Sequence, residues 1–125
     1  MTHHATYRGV PLEEIRIRSV QWPDEAAAYI KTRSERRPND RDVEPEWATE
    51  AATSKGAEVS WAPPAEGSDA IESESLLVIG SSESAGSVLK VWLRPLDLKA
   101  GDWIGVNAAF PKARVARQFL ERRMK

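Results

Sequence analysis

The stretch Ser87 to Arg94 reads Ser-Val-Leu-Lys-Val-Trp-Leu-Arg, and its alternation restricts the fold more than any other part of the chain. With a period of two, Leu89, Val91 and Leu93 fall on one face, and Val88, Lys90, Trp92 and Arg94 fall on the other. One face is therefore core and the other amphipathic. The preceding apolar run, Leu76-Leu77-Val78-Ile79, stops at Gly80-Ser81-Ser82, which predicts a hairpin with its turn at Ser82 to Gly86. After a connection from Pro95 to Gly101, Asp102 to Val106 supplies a third short strand that ends at Asn107, and a meander is the simplest way to join the three. Pro111 suits the first turn of a helix, where its missing N–H would have no partner, and the helix is expected to run to about Arg123. Its apolar stripe is Val115, Phe119 and Leu120. Six basic residues against one acid lie between Lys112 and Lys125, the strongest charge signal in the sequence.

The first half of the chain is read as strand, helix, helix, strand. Glu14 to Trp22 alternates, with Ile15 and Ile17 inward, and Pro23-Asp24 ends that strand. Asp24 is expected to cap a helix from Glu25 to about Arg36, whose last turn gathers Lys31, Arg33, Arg36 and Arg37, the sign that favours a helix C-terminus. Pro38-Asn39-Asp40 is a turn signal. A second helix is expected to start near Glu44-Pro45, carry Trp47, Ala48 and Ala51, and close at Lys55-Gly56; Glu58 to Trp61 follows as a strand. Residues 1–12 read as a tail or leading strap, and 63–74 as a flexible acidic loop with little to bury. The expectation is one domain over 1–125 of α+β class: an antiparallel sheet with two N-terminal helices and a C-terminal basic helix. Ile15, Ile17, Leu77, Ile79, Leu89, Val91, Leu93, Ile104 and Phe119 are expected to share one core.

Composition narrows the function. The 125 residues carry a net charge of −1 and no cysteine, so there is no thiolate nucleophile and no cysteine-based metal site. No apolar run approaches the ~20 residues that a membrane-spanning helix needs, and the expectation is a cytoplasmic protein with no membrane partner. His3-His4 near the start is read as incidental, so neither a metal nor another cofactor is expected. Charge is unevenly placed. Six acids and no Lys or Arg lie between Gly56 and Leu89, which allows a local basic face on a slightly acidic protein.

No phosphate-binding glycine loop, dinucleotide fingerprint, nucleophile elbow or zinc motif is present, and the remaining chemistry is cationic. A nuclease that works without metal needs cations for the charge that builds on phosphorus, and groups to take and give protons. Arg33, Arg36, Arg37, Arg94, Lys112, Arg114 and Arg117 are the candidates, weighed against the ordinary case of solvated arginines at helix ends. Trp92 and Trp103, on neighbouring strands, stack bases if exposed and belong to the core if not. Lys90 and Arg94 flank Trp92 on one face.

The arrangement resembles the BrnT-type toxins of bacterial toxin–antitoxin pairs, within the broader RelE-like ribonuclease fold. Gln21-Trp22-Pro23-Asp24-Glu25-Ala26-Ala27 is similar to the family's strand-ending Trp-Asp-x-x-Lys-Ala, and Asp42 to Ala48 to the start of its second helix. Leu76 to Arg94 resembles its central hairpin, and Trp103 to Arg123 its last strand and arginine-rich helix. The resemblance implies a type II toxin, a metal-independent endoribonuclease that inhibits translation and is neutralised by a cognate antitoxin. It puts Arg33, Arg36, Arg94, Asn107, Arg114 and Arg117 at the catalytic centre, and Arg37, Lys90, Trp92 and Lys112 on RNA. The family's Ser-Ala-Arg after the last strand reads Asn107-Ala108-Ala109 here, its helical tyrosine reads Phe119, and its helix-ending histidine has no counterpart. Those departures keep open a second reading: a catalytically degenerate binding module that meets a protein partner through Trp47, Trp61 and the acidic loop, or holds nucleic acid without cleaving it.

Overall fold

The computed structural model describes residues 6–61 and 75–124, and shows a mixed α+β architecture built on a five-stranded sheet. In chain order the strands are β1 (Thr6–Tyr7), β2 (Val10–Pro11), β3 (Ser19–Gln21), β4 (Glu58–Trp61), β5 (Leu76–Ser82), β6 (Ser87–Asp97) and β7 (Asp102–Ala109). The helices are α1 (Asp24–Lys31), α2 (Arg33–Arg36), α3 (Pro45–Thr53) and α4 (Ala113–Arg123), with a short 3-10 turn at Leu12–Glu14. The main sheet has the order β3-β7-β6-β5-β4. The β5-β6-β7 meander is antiparallel as expected, and β4 joins β5 in the same sense. β3 instead runs parallel to β7, pairing Ser19 to Gln21 with Asp102 to Ile104, so the sheet is mixed rather than wholly antiparallel.

The expected strand over Glu14 to Trp22 shrinks to three residues because the backbone before it is satisfied elsewhere. The indole N–H of Trp103 donates to the Arg16 carbonyl (2.8 Å), and the Arg18 N–H donates to the Gly101 carbonyl (2.7 Å). Gly101 takes φ +82, a conformation that favours glycine, and an added Cβ would press on the Arg16 backbone. Arg18 and Ser19 clamp the junction further, both donating to the Asp102 carboxylate (2.8–3.1 Å). The Ser19 hydroxyl first, and the Arg18 guanidinium second, hold that carboxyl below its usual range. Ahead of this, residues 6–11 within the stretch read as a tail form the β1-β2 hairpin. Its turn uses positive φ at Arg8 and Gly9, and buried Tyr7 packs its ring 5.9 Å from that of Trp103.

The single helix expected from Glu25 to Arg36 is two. At Thr32 the side-chain hydroxyl bonds back to the Ala28 carbonyl (2.7 Å), the backbone leaves helical geometry, and Arg33–Arg36 forms a separate turn. Asp24 is the first residue of α1 rather than its cap, which is Pro23; its charge still complements the helix N-terminus. α3 begins at Pro45 as expected. α4 begins at Ala113 because Lys112 remains extended.

The sheet buries its two faces in different ways. On one face Leu76, Val78, Leu89, Val91, Leu93, Trp103 and Ala108 lie beneath Ile30 of α1 and Ala48, Ala51 and Ala52 of α3. Ile15 and Ile17 pack against this core partly buried. Gly80 lets α3 close in, since a Cβ there would overlap the Ala51 carbonyl oxygen. Strand pairing puts Leu77, Ile79 and Ile104 on the opposite face, half-buried, so the single core expected from sequence is divided. Leu76 to Ile79 is apolar throughout, and such a run gives no phase from which to read which residues turn inward. Phe119 is fully buried but lies outside the main core cluster, on α4. That helix is tied to the opposite face by a paired contact from Arg122 to Glu58 (2.6 and 2.7 Å) and by Arg123 to Ser81 (3.2 Å).

Candidate nucleic-acid interface

The face opposite the main core carries Lys90, Trp92 and Arg94 from β6, all half-buried, with the Lys90 ammonium 5.2 Å from the centre of the Trp92 ring. Asn107 joins them through a β-bulge. Leu93 pairs with Gly105 and Trp92 with Asn107, so β7 advances two residues while β6 advances one, leaving Val106 as the extra residue. Without that insertion Asn107 would share the face of Gly105, against which the Trp22 ring is packed on the core side. The bulge turns Asn107 outward beside Trp92.

β3 pairs with β7 only as far as Ile104, and Arg33 of α2 reaches Asn107 beyond that point. One guanidinium nitrogen donates to the Asn107 side-chain oxygen (2.9 Å) and the other to Asp40 (3.0 Å). The same Asn107 oxygen accepts the Ala108 N–H (2.8 Å), which fixes the amide and leaves its NH2 as the group that can donate to a ligand. The Lys90 amine is pulled below its ordinary pKa by burial first, then by the charges of Arg33 and Lys112. The charges of Arg33 and Lys112 thus both act on Lys90, and Asp40 is bonded to Arg33. A partly desolvated lysine among like charges favours an anion in its place.

The remaining sequence candidates are spread differently. Arg36 stacks on Tyr29, its guanidinium 4.1 Å from the ring centre, and donates to Thr32 Oγ1 (3.0 Å) and to the Tyr29 carbonyl. Arg37 is exposed at the end of α2. Arg94 lies on the Trp92 face opposite Ile104, further along the strand. Arg114 and Arg117 are exposed on the side of α4 turned away from buried Phe119, while Lys112, also exposed, precedes the helix and its charge reaches Lys90. Arg33, Lys90, Trp92, Asn107 and Lys112 therefore form one group, and Arg114 and Arg117 do not join it. Trp103 is fully buried and belongs to the core.

Sequence reasoning missed three contributors. Asp40 was visible only as part of a turn signal, although it orients Arg33. Tyr29, 43% exposed, lies beneath Arg36, and nothing in the helical spacing marks it as a platform for that arginine. Arg41 lies over Phe110 at 3.8 Å from the ring centre, pinning the segment that carries Lys112, and nothing local in either stretch signals that pairing. Among the described residues no cluster of three or more His, Cys, Asp or Glu is placed to hold a metal ion, and no helix is long and apolar enough to cross a membrane. Comparison with protein-family profiles, with curated proteins and with solved structures finds no match for this chain.

Proposed function

We propose that the chain binds single-stranded RNA across the Lys90 face and acts there as a metal-independent endoribonuclease, a toxin of the BrnT-like kind whose cognate antitoxin covers the same surface. The observation that carries this reading is half-buried Lys90 beside the Trp92 ring, with Arg33 bonded to Asn107 directly across from Trp92 on the neighbouring strand; burial and the charges of Arg33 and Lys112 lower the Lys90 pKa. A lysine so placed is neutral more often than a surface lysine and can accept the 2′-hydroxyl proton. The 2′-oxygen then attacks phosphorus, the bond to the 5′-oxygen breaks, and protonated Lys112 supplies the proton that the leaving oxygen takes. Arg33 and the Asn107 amide stabilise the charge that builds on the phosphoryl oxygens, and Trp92 stacks a neighbouring base. The products are a 2′,3′-cyclic phosphate and a 5′-hydroxyl end.

A specific observation favours the alternative of binding without cleavage. Arg33 is already held by Asp40 and Asn107, and Phe119, at the place of the family's tyrosine, is buried under α4 with no proton to give. Incubating the protein with RNA in EDTA separates the two. New 5′-hydroxyl ends that disappear in Lys90→Met support the nuclease; RNA that is retained at high protein but stays intact supports the binding module; RNA neither bound nor cut rejects both.

A further inference from the structure

A second cationic feature lies on the other side of Arg33. Tyr29, Arg33, Arg36, Arg37 and Asp40 line an open depression of about 180 Å3, several times the ~30 Å3 that a water molecule occupies in the liquid. Its walls are preorganised. Arg36 is fixed by its stack on Tyr29 and its bonds to Thr32 and Tyr29, and the turn that forms the rim closes through the Asp40 N–H to the Arg37 carbonyl (2.9 Å). The Asp40 carboxylate is engaged by Arg33, and Asp42, which accepts the Ser34 N–H (2.8 Å), lies within electrostatic reach of Arg36, so the charge least offset is that of Arg37. The exposed Arg37 is left beside a space of suitable size for an anion, and planar guanidinium matches the oxygens of a phosphate. The depression and the Lys90 group share Arg33, which lines the first and bonds Asn107 in the second.

We infer that this depression is a second phosphate subsite, which holds a neighbouring phosphodiester of the RNA strand bound at Lys90, with Arg37 as the ligand that is not committed to the fold. The inference rests on the RNA-binding reading and adds to it a footprint: the strand is gripped at two phosphates, on either side of Arg33. Phosphate contacts of this kind set position and register without reading bases, so the subsite should act alike on all sequences.

The test uses a fluorescein-labelled octanucleotide of 2′-O-methyluridine, which has no 2′-hydroxyl to attack, and anisotropy titrations over a range of salt, with the full chain, Arg37→Ala and Lys90→Met. Arg37→Ala is expected to weaken binding about 5- to 10-fold and to reduce the slope of log K against log salt by about 0.7, the value for one lost contact on a single strand. Replacing single phosphodiesters by neutral methylphosphonates should reveal two sensitive linkages in the unaltered chain. One of these should become insensitive in Arg37→Ala and the other in Lys90→Met. If Lys90→Met weakens binding while Arg37→Ala leaves affinity and slope unchanged, the subsite is wrong and the Lys90 reading stands. If the octanucleotide does not bind the unaltered chain, both are wrong. Equal melting temperatures for Arg37→Ala and the unaltered chain exclude a folding defect as the cause of any loss.

Discussion

The two faces of β6 have the same two-residue spacing but are covered in different ways. Under α1 and α3, Leu89, Val91 and Leu93 are fully buried, and the helix backbone comes close enough that Gly80 has no room for a side chain. On the other face α4 is held by one large side chain, Phe119, and by polar contacts from Arg122 and Arg123 at its far end, leaving Lys90 and Trp92 half-buried near its start. The close-packed face supplies stability, since each buried aliphatic side chain contributes about 1.5–3 kcal/mol relative to exposure. The looser face can keep a desolvated cation and an aromatic ring within reach of a ligand. Stability and the proposed binding thus fall on opposite sides of one strand.

The largest expected effect comes from breaking the packed face. Val91→Asp places an unpaired carboxylate among Val78, Leu89 and Ala108, a change that costs about 4 kcal/mol or more and should abolish folding. A cooperative thermal transition and native-like circular dichroism from that variant would show that this face is not the core.

Gly80→Ala is the next largest. Its Cβ meets the Ala51 carbonyl, so α3 must shift as a body, and overpacking of this kind costs about 1–3 kcal/mol. Denaturant titration should show a lower midpoint with an unchanged slope, and an unaltered midpoint would mean that α3 sits further from β5.

Lys90→Met sharpens the comparison from the other side, with the smallest effect on stability and one of opposite sign. Because the folded state lowers the Lys90 pKa below the unfolded value near 10.5, the unfolded chain holds that proton more tightly. The penalty is fully present at pH values below the folded pKa and fades as pH rises towards 10.5. Lys90→Met is therefore expected to be as stable as the unaltered chain or slightly more so at pH 7, with the difference shrinking as pH rises towards 10.5, while its RNA affinity falls. Paired denaturant titrations across that range check the sign: a Lys90→Met chain that is less stable than the unaltered one at pH 7, with the gap closing at high pH, would mean that Lys90 is stabilised as a cation.

What the sequence made legible follows the same division. Alternation in β6, the glycine-bounded turns and Pro45 at the start of α3 are local signals, and the meander and α3 appear where those signals put them. The candidate site was legible as a list of cations but not as an assembly. Its geometry depends on the break at Thr32 that makes Arg33–Arg36 a separate turn, on the bulge at Val106 that turns Asn107 outward, and on β3 ending opposite Ile104. The last two are decided by partners distant in sequence, and the first by a side-chain bond from Thr32 to Ala28 that apolar spacing does not announce; periodicity is blind to all three. Arg114 and Arg117 illustrate the converse: their charge is plain in the sequence, but which side of α4 faces the sheet depends on Phe119 being buried.

The parallel pairing of β3 with β7 also bears on the order of folding events. The hairpins of the meander close short loops, whereas Arg18 with Asp102 and Trp103 with Arg16 join residues 84 and 87 positions apart. Loop-closure entropy makes such distant pairings late compared with neighbouring strands. Arg33 and Asn107, 74 positions apart, belong to the same late class. A chain caught before that closure would already possess most of its sheet yet lack the Arg33–Asn107 bond that joins α2 to it, so that contact, rather than strand content, marks completion of the native state.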